Sequence, residues 1–126
     1  MNLIFFCSFL FYCSHSFVNV SKDCRDAFYS AGIIYIYSGK AYKSDNNEDF
    51  EYYVSEALNA AEDCMYYAKL CNCGDTYHSA DEAYKNLKIS YSLSERNDVL
   101  QYIKKAMNNA EDAIKYADEC KQEEKE

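Results

Sequence analysis

The feature that most constrains this chain is that it matches itself. At an offset of 49 residues, Cys24–Cys71 aligns with Cys73–Cys120 without a gap, and sixteen positions are identical. They include Cys24/Cys73, Asp26/Asp75, Tyr35/Tyr84, Tyr42/Tyr91, Tyr53/Tyr102, Ala57/Ala106, Ala61/Ala110, Tyr67/Tyr116 and Cys71/Cys120. Unrelated segments of this composition would match at about four places. A unit of this length used twice reads as one supersecondary element. Two stacked copies are too few for a stable open solenoid, which normally needs about three. They should close into a bundle or pair with another chain.

The shared positions also set the period. In the first half of each copy they run Cys24, Phe28, Ala31, Tyr35, Ser38, Tyr42, and then Cys73, Tyr77, Ala80, Tyr84, Leu87, Tyr91. In the second half they run Phe50, Tyr53, Ala57, Ala61, Cys64, Ala68, Cys71, and then Val99, Tyr102, Ala106, Ala110, Ala113, Ala117, Cys120. These steps of three and four trace one face of a helix, whereas a strand alternates by two. Proline is absent and only three glycines occur, which argues against a chain of strands and tight turns.

The pattern predicts helices over 23–43, 46–71, 73–91 and 95–121. Asp23 and Asn72 are expected to cap the first and third, with Asp26 and Asp75 in the first turns. Asp45 and Ser94 are expected to cap the second and fourth. Gly32 to Tyr37 reads as strand taken alone, but its copy, Asp81 to Asn86, is plainly helical. That first helix is apolar nearly all round, so it should be the most buried element or part of a subunit contact. The first helix of each copy offers large rings and the second offers mostly Ala. Rings are therefore expected to fill the space that small residues leave, with tyrosine hydroxyls at the rim. The fold class is all-α: two tandem antiparallel αα-hairpins packed as a four-helix bundle-like domain.

The same alignment assigns the cysteines. Cys24 opens one hairpin and Cys71 ends it, and Cys73 and Cys120 do likewise, so the expected bridges are Cys24–Cys71 and Cys73–Cys120. Cys64 is left as a free thiol. Its counterpart is Ala113, so it reads as a small apolar residue, with an intermolecular disulfide as the alternative. Cys71-Asn72-Cys73 also has the look of a redox or metal motif, but each of its cysteines has a partner elsewhere. A zinc site lacks paired ligand spacing.

One stretch invites a calcium reading. Asp45, Asn47, Asp49 and Glu56 stand at the first, third, fifth and twelfth positions of an EF-hand-like loop. Phe50 stands where that turn needs Gly, and the copy offers Ser94, Arg96, Asp98 and Lys105. The alternative is a solvated acidic connection between helices. No Ser-His-Asp set, phosphate loop or basic patch is present, so neither an enzyme nor a cofactor is implied.

Leu3 to Cys13 is apolar and uncharged, and Ser14-His15-Ser16 supplies the small residues a signal peptidase reads. Residues 1–16 are therefore expected to be a signal peptide. Residues 17–126 form a single helical domain, with copies at 24–71 and 73–120 and a charged tail at 121–126. Tyr12 precedes Cys13 where a lipoprotein needs a small residue. Asn19-Val20-Ser21 is a glycosylation sequon. The net charge of −8 disfavours nucleic acid and anionic membranes as partners. No membrane span is expected in the mature chain.

The alternation of Tyr, Ala, Asp and Lys over Asp23 to Cys120, with Cys at the edges of the copies, resembles uncharacterised small exported helical-repeat proteins of bacteria. The resemblance implies no activity. The expectation is a secreted or periplasmic, non-catalytic structural or interaction module whose partners are proteins or its own copies. The rival is a binder of calcium or a small ligand through the 45–56 loop or the tyrosine stripe.

Overall fold

A computed structural model describes residues 24–123 of the protein. The expected signal peptide, Asp23 and the last three residues lie outside that range. Four helices are present: α1 (Arg25–Lys43), α2 (Asn47–Leu70), α3 (Gly74–Ser92) and α4 (Arg96–Glu123). The expected boundaries hold to within two residues. The segment Gly32–Tyr37 lies inside α1 and is helical, as its counterpart in α3 required.

α1 packs along α2 and α4, α3 packs along the same two, and the diagonal pairs barely touch. Four helices joined by short connections therefore run up, down, up, down around a square. Connections of three residues join α1 to α2 and α3 to α4. Arg96 Nη2 donates to the Ser44 carbonyl at 3.1 Å, which ties the two connections together at one end of the bundle.

The caps differ from the expected residues. α2 starts one residue later than Asp45 would place it. The Asn46 side chain accepts the Asp49 N–H at 2.8 Å and donates back to the Asp49 carboxylate at 2.9 Å. This reciprocal pair satisfies one of the orphan donors of the first turn. Asp45, Asn46 and Asn47 are all good caps by type, and the short connection from Ser44 selects the middle one. For α4, the Val99 N–H reaches the Glu95 carbonyl, so the turn starts at Glu95 and not at Ser94. α1 and α3 are capped by Cys24 and Cys73, neither of which accepts a backbone N–H of the first turn through its side chain, although the Thr76 hydroxyl meets Cys73 Sγ at 3.1 Å.

Asn72 does not cap α3; it terminates α2. Its φ of 59° puts it in the left-handed region. The Cys73 N–H bonds the Ala68 carbonyl at 2.8 Å and the Asn72 N–H bonds the Lys69 carbonyl at 3.2 Å. These are the two bonds of a Schellman stop, and Asn is one of the few side chains that tolerates its left-handed position.

The core is made of small residues from all four helices. Ala27, Ala31, Ile34, Ala41, Val54, Ala57, Ala61, Ala80, Ala83 and Leu87 are fully buried, as are Ile103, Ala106, Ala110, Ala113 and Ala117. Stripes expected for α2 and α4 are therefore the buried ones. In α1 and α3 the expected stripe is buried at Cys24, Ala31, Ser38, Cys73, Ala80 and Leu87, but its rings stand further out. Phe28, Tyr35 and Tyr84 are half-buried, while Tyr42, Tyr77 and Tyr91 are exposed. Alanine on both sides brings the helix axes too close for rings between them, so the rings move out to the rim of each groove. There they take up cations: Lys40 lies 5.3 Å from the Tyr37 ring, Lys105 4.4 Å from Tyr102 and Lys121 4.3 Å from Phe28.

Nor is α1 the most buried element. Tyr29 is 64% exposed, Ile33 42% and Ile36 54%. Its apolar outer side stands open in the single chain.

Candidate functional site

The cysteines converge at one end of the bundle. Cys24 bridges Cys71 and Cys73 bridges Cys120, each across 47 residues. The Sγ atoms of Cys24, Cys73 and Cys120 lie within 4.8 Å of one another, so the two bridges sit side by side. The Asn72 turn causes this, because it sends neighbouring cysteines into different hairpins.

Cys64 is free and fully buried. Its Sγ donates to the Ala27 carbonyl on α1 at 3.4 Å. Burial, helped by the Asp63 carboxylate, pushes its thiol up from 9.0 to about 12. A thiol held that high carries almost no thiolate near neutrality. Its hydrogen bond has a mirror in the second hairpin, where Thr76 Oγ1 donates to the Ala113 carbonyl at 3.5 Å. The 27/64 pair is Ala with Cys, and the 76/113 pair is Thr with Ala. The donor has changed helices while the cross-helix bond is kept. Both changes stand in the alignment of the copies, where the pairing of the two positions was legible.

The calcium set is dispersed. Asp45 is exposed in the connection, whereas Asn47, Asp49 and Glu56 all belong to α2. Nine helical residues separate Asn47 from Glu56, about 13 Å along the axis. Asp49 is engaged with Asn46. The helix thus runs straight through the segment that would have to curl round an ion.

The outer sides of the two hairpins differ. Along α1, one side carries Arg25, Tyr29, Ile33, Ile36, Lys40 and Lys43, all exposed. On α2 the outer side carries Glu48, Tyr52, Glu56, Asp63, Tyr66 and Leu70, exposed apart from half-buried Glu56. Tyr52 is 56% exposed, Tyr66 61% and Leu70 39%. The Tyr52 ring lies edge-on to Tyr53 at 5.5 Å, and Tyr53 lies 6.2 Å from Tyr37 of α1, so Tyr52 stands beside the seam of the two helices. The two helices thus share one outer face.

Forty-nine residues on, the apolar positions of this face are polar, and Ile89, in the place of Lys40, is the exposed apolar residue there. Tyr29, Ile33 and Ile36 correspond to His78, Glu82 and Lys85, and Lys85 pairs with Asp81 at 2.9 Å. Tyr52, Tyr66 and Leu70 correspond to Gln101, Lys115 and Glu119, all exposed. The sequence offered α1 as part of a subunit contact; the extension of that face onto α2 is the feature that sequence reasoning missed. Its signal lies in the positions that differ between the copies. Among the described residues no helix is long and apolar enough to cross a membrane. No protein-family model, curated protein or solved structure matches this chain.

Proposed function

We propose that the protein is an exported, non-catalytic helical module that acts by protein interaction through the outer face of its first hairpin. The observation that carries this reading is the contrast just described. Contiguous exposed apolar side chains mark interaction surfaces, whereas isolated ones do not. Here Tyr29, Ile33 and Ile36 share an outer face with Tyr52 and Leu70 of the neighbouring helix, while the equivalent face of the second hairpin keeps Ile89 as its one exposed large apolar side chain. Export is supported by two bridges, which persist in oxidising compartments, and by the apolar segment before Ser14.

The test compares the wild-type chain with an Ile33→Glu/Ile36→Lys variant, which places the residues of Glu82 and Lys85 at their corresponding positions. Each is immobilised and exposed to the fluid into which the protein is exported, and separately to the protein itself. Retention of a partner by the wild type and its loss in the variant is expected. Equal retention by both would contradict the assignment of the face. Mass spectrometry of the exported protein should find Phe17 at its N-terminus, and an intact Met1 would contradict export by this route.

A further inference from the structure

Resting on the interaction reading above, we propose that the occupant of this face is a second copy of the chain. The dimer is two-fold, and it lays α1 of each copy on α2 of the other. Charge complementarity within one face selects this occupant. α1 interleaves its apolar residues with cations, ending on Lys40 and Lys43; α2 interleaves its own with Glu48, Glu56 and Asp63.

The topology makes the two strips meet. α1 and α2 are antiparallel, and the short connection between them puts Lys43 at the height of Glu48. The Tyr37 and Tyr53 rings, 6.2 Å apart, fix the level one or two turns further along. A two-fold axis parallel to the helices and lying in the face keeps every height and exchanges α1 for α2. Lys40 and Lys43 of one copy then lie over the Glu48–Glu56 stretch of the other. Tyr29 and Ile33 lie over the Asp63–Leu70 stretch. The other two-fold arrangement lays α1 on α1, sets Arg25 against Lys43, and is disfavoured by like charge.

Size and closure agree. α1 has 19 residues, so the face measures about 28 Å by about 20 Å for two helices side by side. That is on the order of 600 Å² per copy, near the low end for a specific interface. Because the same patch serves both copies, the contact is isologous and stops at two. The outer face of the second hairpin, with His78, Glu82 and Lys85 around a single exposed Ile89 on α3, offers no equivalent apolar patch to extend the assembly.

Sedimentation equilibrium of the exported chain, beginning at Phe17 and serving as the background, tests the proposal. The background chain is expected to dimerise, and Ile33→Glu/Ile36→Lys to be monomeric with an unchanged helical signal. Lys40→Glu/Lys43→Glu and Glu48→Lys/Glu56→Lys should each weaken self-association by at least about tenfold. Mixing those two variants should restore a dimer, because each then meets opposite charge at both strips. A monomeric background chain overturns the second copy as occupant, and the retention test above then decides separately whether the face binds another protein. Dimers that ignore the charge reversals, or mixtures that do not recover, overturn the α1-on-α2 arrangement.

Discussion

The two hairpins share a set of buried alanines and differ at the exposed apolar positions of the first. Ala31/Ala80, Ala57/Ala106, Ala61/Ala110 and Ala68/Ala117 are identical pairs, and all eight are fully buried. Tyr29, Ile33, Ile36, Tyr52, Tyr66 and Leu70 have no identical counterpart, and all six are exposed. Close helix packing leaves room only for small side chains at these four positions, so they admit little change. The bundle makes no such demand at the six outer positions, where the second hairpin carries polar side chains. Two interior differences come in compensated pairs. Ala27 with Cys64 becomes Thr76 with Ala113, and Tyr37 with Ala60 becomes Asn86 with Asn109, whose amides bond at 2.7 Å.

The largest expected effect tests whether the hairpins are equal at their closed ends. Each bridge closes 47 residues, so loss of either should cost about 4 kcal/mol in the chain-entropy treatment. Cys24→Ser/Cys71→Ser and Cys73→Ser/Cys120→Ser should therefore give matching shifts in urea melts. A much larger loss for one pair would break the comparison.

Next come the interior alanines. Ala61→Leu and Ala110→Leu add three carbons in fully buried positions, and each should cost about 1–3 kcal/mol. Glu62→Leu and Glu111→Leu, one residue on and exposed, should stay within about 0.5 kcal/mol. Equal damage from all four would show that the helical phase of α2 and α4 is wrong.

The exchanged donor pair gives a smaller effect. Cys64→Ala removes the bond to the Ala27 carbonyl and should cost about 1 kcal/mol. Adding Ala27→Thr installs the arrangement of Thr76 and Ala113 and should recover most of it. Native Cys64 should also resist iodoacetamide at pH 8, since its thiol ionises only at about 12. An unfolded thiol ionises near 9.0, so between those values the folded state holds the extra proton and stability falls as pH rises. Rapid labelling at pH 8 would contradict this burial.

The smallest effect concerns the one layer where the second hairpin is better built. Ser38 is fully buried and its hydroxyl has no hydrogen-bond partner, whereas Leu87 fills the corresponding place. Ser38→Ala should stabilise the protein by about 0.5–1 kcal/mol, visible as a higher thermal midpoint. A loss of that size would mean the hydroxyl is satisfied.

Much of this was legible in the sequence, because repetition converts a weak local pattern into a paired one. Gly32–Tyr37 has the composition of a strand, and only its polar counterpart in α3 identified it as helix. The bridges followed from where the aligned segments begin and end. What the sequence did not reveal was set by distances between helices. The Tyr and Phe residues of the α1 stripe have the right period for a core, but an alanine interface has no volume for them. Asp45 and Ser94 lost the capping role to positions one residue later because connections of three residues fix where each helix can start. Cys24–Cys71 and Cys73–Cys120 could be paired from sequence, yet that the two bridges touch depended on the left-handed Asn72.

The most direct test replaces the outer residues of hairpin one with those of hairpin two: Tyr29→His, Ile33→Glu, Ile36→Lys, Tyr52→Gln, Tyr66→Lys and Leu70→Glu. The urea midpoint of this variant and of the wild type would be followed over a hundredfold range of protein concentration. A partner that binds only the folded chain makes stability depend on concentration. The wild-type midpoint should rise with concentration, and the variant's should stay flat at the dilute wild-type value. A variant midpoint far below that of the dilute wild type would show that these side chains hold the single bundle together, and the division into a shared interior and an independent exterior would fall.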